Sequence, residues 1–109
     1  MKQFEIRWAT MPRPVGRRPV LLLSRTAAYD YLAKVIVAEV TTRIRGIPQE
    51  VRLGRRDGLS SSSVASMDNI HVIAKEWISD LVGVLRPERH LEVKRALGFA
   101  LDWEELKMV

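Results

Sequence analysis

The chain contains no cysteine, which removes disulfides, thiolate zinc sites and cysteine nucleophiles. Its two histidines, His71 and His90, are too few for a histidine-rich metal cage. No apolar stretch approaches the roughly twenty residues of a membrane span. The apolar runs that exist, such as Val20–Leu23 and Val35–Ala38, are strand-sized. The opening residues Met1-Lys2-Gln3-Phe4-Glu5-Ile6-Arg7 carry charge with no long apolar segment ahead of it, unlike a signal peptide. From these absences the chain is expected to be cytoplasmic, clear of the membrane, and without metal or cofactor.

What is present suits one compact domain over residues 1–109, with 47% apolar residues for a single core. The charged fraction of 28% is ordinary for a folded protein. The net charge of +5 and pI near 10.1 favour a polyanion as partner, whether RNA, DNA, an acidic membrane or an acidic protein.

Periodicity predicts mostly strands. Phe4, Ile6 and Trp8 alternate with Glu5, Arg7 and Ala9, the pattern of a half-buried strand. Thr10 to Gly16, with two prolines and a glycine, reads as a loop. Pro19 to Ser24 is a short apolar run suited to burial on both faces, with proline at its first position. Arg25 to Ala33 connects it, with room for one helical turn, to a β-branched strand over Val35 to Thr41. Gly46-Ile47-Pro48 breaks the pattern before an edge strand, Glu50 to Leu53. After the Gly54 to Ser63 loop come two short strands, Val64 to Met67 and Ile70 to Ile73. A turn over Lys75 to Trp77 precedes a last strand, Leu81 to Leu85.

A helix is expected from Pro87, a residue suited to a first helical position. Val93, Ala96, Leu97, Ala100 and Leu101 share one of its faces, and Gly98 would let it approach the strands closely. Six or seven short strands and a C-terminal helix predict a mainly β fold built as a small, strongly bent barrel.

One stretch carries more information than the rest. Gly16-Arg17-Arg18-Pro19-Val20-Leu21-Leu22-Leu23-Ser24 runs a basic turn straight into an apolar strand. Val35-Ile36-Val37-Ala38-Glu39-Val40 ends in Thr41-Thr42. A cation at the mouth of one strand and a hydroxyl at the end of another can meet over one phosphate. These two stretches, with the later Gly58-Leu59 and Ser63-Val64, resemble the MazF/PemK-type toxins of toxin–antitoxin pairs over about residues 4 to 101.

The resemblance implies an SH3-like barrel, a homodimer, and metal-independent cleavage of single-stranded mRNA at a short sequence. It also implies neutralisation by a cognate antitoxin whose acidic, flexible tail competes for the RNA groove. Arg18 matches the catalytic arginine of the family's R-P-V motif, and Thr41 its catalytic threonine. Asp68 matches an acidic residue proposed in some members as general base. Ser66 and His71 stand where those members often carry arginine.

Metal-free RNA cleavage needs a base for the ribose 2′-OH, a stabiliser for the five-coordinate phosphorus, and an acid for the leaving 5′-oxygen. An arginine is always charged and forked, so Arg18 suits the second role. The products would be a 2′,3′-cyclic phosphate and a 5′-OH. Arg17, Thr42, Arg43, Arg45 and His71 are candidate RNA contacts, and His71 could also exchange a proton near neutral pH. His90, on the helix, is expected to face solvent. Two other readings share this fold. One is a CcdB-like toxin that poisons DNA gyrase through a C-terminal tryptophan, here Trp103; the other is a nucleic-acid-binding barrel with no activity.

Overall fold

The computed structural model describes residues 1–109 throughout. Six antiparallel strands form one sheet: β1 (Glu5–Thr10), β2 (Arg17–Leu22), β3 (Lys34–Thr41), β4 (Glu50–Leu53), β5 (Ser63–Ala74) and β6 (Ile78–Val84). Their order across the sheet is β4-β5-β3-β2-β1-β6. A one-turn helix α1 (Ala28–Tyr31) bridges β2 and β3. Helix α2 (His90–Leu101) and a short α3 (Glu104–Lys107) end the chain. The fold is therefore mainly β with a C-terminal helix.

The sheet curls around its core, but its hydrogen-bonded ladder does not close. The edges approach instead through two glycines. A Cβ on Gly83 of β6 would lie 1.9 Å from the Asp57 carbonyl oxygen, and one on Gly58 would lie 2.0 Å from that of Val82. Gly58 also has φ +91°, which disfavours a side chain in any case. Gly83→Ala must push the edges apart and is expected to destabilise the fold by about 1–3 kcal/mol, as overpacking does. That corresponds to a Tm lower by roughly 4–8 °C per kcal/mol. A thermal melt that overlays the wild type would show that this contact does not hold the edges together.

Both sheet faces carry apolar residues, as the continuous runs of β2 and β3 require. On the inner face Ile6, Leu21, Ala38, Val40, Val51, Leu53, Ala65 and Met67 pack with Val93 and Ala96 of α2. On the other face Val20, Leu22, Val35, Val37 and Ile73 form a second cluster with Tyr29 of α1 and Met11. That second face changes character half-way along. The positions that continue it at the strand period of two are Arg18 after Val20 and Leu22, Glu39 and Thr41 after Val35 and Val37, and His71 after Ile73. Three neighbouring strands thus turn polar at the same end of one face.

Several expectations change. Val64 to Met67 and Ile70 to Ile73 belong to one strand, β5, not two. The register steps from Ala38↔Ile70 to Glu39↔Ser66, leaving Met67, Asp68 and Asn69 without partners on β3. This bulge bends β5 without ending it, and bulges often sit beside active sites. Strand β1 is buried on both faces rather than half-buried: Ile6 enters the main core and Ala9, on the opposite side, enters the second cluster, while Trp8 stays half-exposed beneath the Arg17 guanidinium at 4.0 Å. Its pairing with β6 shifts register between Ile6 and Ala9.

The last strand begins at Ile78 and ends at Val84, earlier than expected. Pro87 opens a 3-10 turn that leads into α2 rather than α2 itself. Leu101 of the predicted apolar face is 49% exposed. Gly98 admits α3, not the barrel: a Cβ there would lie 2.7 Å from the Leu106 side chain. His90 does not face solvent freely, since it stacks on Phe4 with ring centroids 3.8 Å apart and its Nε2 lies 3.1 Å from the Leu85 carbonyl oxygen. Trp103 is 53% exposed at the start of α3. No helix is long and apolar enough to cross a membrane.

Candidate active site

The polar end of the second sheet face opens into a cleft of about 180 Å³ lined by Arg18, Glu39, Thr41, Arg43, Arg45 and Asp68, with Glu50, Ser66 and Asn69 completing its polar wall. Register explains the gathering. Val20 pairs with Glu39, so Arg18 and Thr41, each two residues further on, share that face at the same end. Across the next pairs, Glu39 faces Ser66, and Ser66 faces Glu50.

Glu39 is the centre of the cleft. One carboxylate oxygen, Oε1, accepts from Arg18 Nη1 at 2.9 Å, while the other, Oε2, contacts His71 Nε2. The Glu39 side chain is 13% exposed, against 33% for Arg18 and 34% for His71. A largely buried carboxylate requires such partners, because an unpaired buried charge is costly. Arg18 Nη2 makes a long contact, 3.4 Å, to the Val15 carbonyl oxygen, and Arg18 Nε is buried with no partner. The catalytic-arginine candidate thus has a fixed fork with unused donor capacity.

Thr41 Oγ1 accepts the backbone N–H of Arg43 at 3.1 Å, which leaves the hydroxyl proton free to donate. The three cleft carboxylates differ. Glu39 is committed to Arg18 and His71. Glu50 accepts the backbone N–H groups of Arg45 and Gly46 at 3.1 and 2.9 Å and so shapes the β3–β4 loop. Asp68, thrown outward by the bulge, is exposed and has no hydrogen bond or ion pair. Nearby, Asn69 Nδ2 donates to Ser66 Oγ at 3.2 Å, and the buried Ser66 stands between Glu39 and Glu50 in the register.

Of the candidates from sequence, Arg18, Thr41, Asp68, Arg43 and Arg45 line this cleft, and His71 joins it through Glu39. Arg17 and Thr42 do not. Each is the chain neighbour of a cleft residue and so points to the other side of its strand. Arg17 lies over Trp8, and Thr42 borders a separate groove with Trp8, Leu59 and Leu81. Glu39 is the residue that sequence reasoning missed. Nowhere do three or more histidine and carboxylate side chains gather closely enough to share a metal ion.

A small curled sheet with an apolar interior thus carries a polar, arginine-lined cleft at one end of its outer face. The signature of the PemK-like, MazF-like toxins of type II toxin–antitoxin systems matches residues 2–101, and the chain belongs to that family. The endoribonuclease MazF3 of Mycobacterium tuberculosis is 36% identical over 88 residues, spanning 79% of this chain and 85% of the relative. Among solved structures, the M. tuberculosis toxin MazF-mt6 superposes with a TM-score of 0.85 at 33% identity, covering 90% of this chain and 96% of that one. A mycobacterial endoribonuclease in complex with its cognate antitoxin superposes with a TM-score of 0.81 at 27% identity, covering 94% and 96%.

Proposed function

We propose that this chain is an endoribonuclease toxin that cuts single-stranded RNA by attack of a ribose 2′-OH on the adjacent phosphate. The observation that carries this reading is the convergence of Arg18, Thr41 and Asp68 on one cleft with the Glu39–His71 pair behind it. Each required role has an occupant. Asp68, the unpaired carboxylate, takes the 2′-OH proton. Arg18, helped by the Thr41 hydroxyl, stabilises the charge that develops on the phosphoryl oxygens. His71, oriented from Nε2 by Glu39, gives a proton to the departing 5′-oxygen. The 2′-oxygen–phosphorus bond forms as the phosphorus–5′-oxygen bond breaks, leaving a 2′,3′-cyclic phosphate and a 5′-OH. Arg43 and Arg45 hold neighbouring phosphates. The cut does not use Arg17 or Thr42.

The chain works as a homodimer and is neutralised by a cognate antitoxin. An acidic tail can enter the same arginine-lined cleft, because electrostatic complementarity speeds encounter and fixes register. The family and its relatives named as endoribonucleases favour the nuclease over gyrase poisoning and over a silent RNA-binding barrel.

The test is chemical. Incubation with a long RNA is expected to give discrete cuts that persist in EDTA, with 5′-OH and cyclic-phosphate ends. RNA carrying a 2′-deoxyribose at the mapped cut should resist. Cutting of that substrate at the normal rate, or activity that EDTA abolishes and Mg²⁺ restores, would overturn the mechanism.

A further inference from the structure

A second basic groove, of about 520 Å³, lies beyond the far end of β4 and is lined by Arg52, Arg55, Arg56 and Arg89 with Asp57 and Glu92. Its arginines are of two kinds. Arg89 is structural. It donates to Glu92 at 2.9 and 2.8 Å, contacts Asp57 at 3.4 Å, and reaches the Arg52 carbonyl oxygen at 2.5 Å. This hydrogen bonding holds the Glu92 carboxyl below its usual range and keeps Arg89 charged. Arg52, Arg55 and Arg56 are exposed, and none of the eight ion pairs in the protein involves them. Three free guanidinium groups on four-residue strand β4 and the turn that follows it (Arg55–Asp57) repel one another unless an anion lies among them.

The groove continues the cleft. Glu50 lines the cleft and Arg52 the groove, two residues apart on one face of β4. Across the sheet, Thr41 pairs with Val64 and Val64 with Arg52, so Arg52 stands in the Thr41 row about 10 Å away, at two strand spacings. Two features favour nucleic acid over a peptide here. Only one of the nine lining residues, Leu53, is apolar, so a peptide finds no hydrophobic anchor. Arg89 also occupies the Arg52 carbonyl on the edge strand, which obstructs pairing of an added strand. Protein–nucleic acid interfaces, by contrast, are polar and strongly positive.

We infer that Arg52, Arg55 and Arg56 form a phosphate track that holds the RNA chain outside the cut site and continues the cleft across β4. This rests on the nuclease reading only for the identity of the polyanion. Each phosphate contact contributes about 0.7 to the log–log salt dependence of single-strand binding.

The test is binding of 2′-O-methyl RNA, which cannot be cut by this chemistry, to the full chain. The probes are a 3-mer and a 20-mer, measured against salt. The variant Arg52→Gln/Arg55→Gln/Arg56→Gln is expected to lose roughly a hundredfold in 20-mer affinity near 0.1 M salt, and about 2 in slope. The loss should be much smaller with the 3-mer, which is too short to fill the cleft and reach the track. A charge-matched control, Lys2→Gln/Lys34→Gln/Lys94→Gln, removes three cations from elsewhere on the surface and should leave the slope near wild type. Single variants, each lowering the slope by about 0.7, keep the test sound should the triple fold poorly.

The track is overturned by an unchanged slope in the arginine variants, by an equal loss in the lysine control, or by an equal loss with the 3-mer. Loss of affinity for an acidic peptide with RNA binding intact would likewise overturn it and make the groove a protein site. Cleavage of natural RNA by the wild-type chain separates the two claims. Cuts with an unchanged slope refute the track alone; a lowered slope without any cuts refutes the nuclease reading alone.

Discussion

Arg18→Ala is expected to lower the cleavage rate at saturating RNA by roughly two to three decades, since a donor aimed at developing charge is worth about 3–4 kcal/mol. The fold should tolerate the change. Truncation to alanine opens the Glu39 carboxylate to water on the side of the partly exposed Arg18 while it keeps His71, so it is not left buried and unpaired, and the apolar clusters on either side of the sheet do not include Arg18. Partly exposed ion pairs contribute little net stability, typically about 1 kcal/mol or less. The melting temperature should therefore move by only a few degrees while the rate collapses. Arg18→Lys separates charge from geometry. Lysine restores one positive charge but cannot hold Glu39 with one nitrogen and present other donors to a phosphate in a fixed plane. It should recover RNA affinity and little of the rate. Single-turnover cleavage of an RNA containing the mapped site measures both. A wild-type rate for Arg18→Ala would remove the centre of the proposed mechanism.

The parts of this arrangement that could be seen in the sequence are those that depend on local pattern. The runs at Val20–Leu23 and Val35–Val40 mark β2 and β3, and the residues flanking them, Arg18 and Thr41, already suggest a phosphate site. Glu39 was hidden because a lone acid within Val-Ile-Val-Ala-Glu-Val resembles any solvent-facing strand residue. Its meaning comes from pairing: only the register of β2 with β3 and of β3 with β5 sets it between Arg18 and His71. A signal did exist. The parity sets Val20–Arg18, Val37–Glu39 and Ile73–His71 each change from apolar to polar at a spacing of two, which marks one face becoming a site. The same parity places Arg17 and Thr42 on the opposite side from Arg18 and Thr41, a consequence of strand geometry alone. Asp68-Asn69 looks like a turn between two strands because bulge residues have turn-like chemistry; whether the chain reverses there is decided by the partner strand, which continues past it.

Glu39→Gln is expected to separate binding from chemistry. Glutamine keeps the shape of the side chain and can still accept from Arg18, so the cleft should stay assembled. Removing the carboxylate charge takes one negative group from beside the scissile phosphate, so RNA should bind at least as tightly and KM should fall. His71 loses the anionic partner that orients its ring. A positioned proton donor contributes about two to four decades, so kcat should drop by roughly two to three. A purely structural Glu39 would change stability without this opposite movement of KM and kcat, and a carboxylate that merely restrained Arg18 would raise kcat on removal. The substrate can assign the lost step. RNA with sulfur in place of the bridging 5′-oxygen at the mapped cut leaves as a thiolate and needs no proton. On that substrate Glu39→Gln and His71→Ala should recover to near the wild-type rate, while Arg18→Ala should stay slow because phosphoryl charge still develops. If Glu39→Gln is as impaired on the sulfur substrate as on natural RNA, the Glu39–His71 pair is not the acid, and the proton for the 5′-oxygen comes from another group in the cleft.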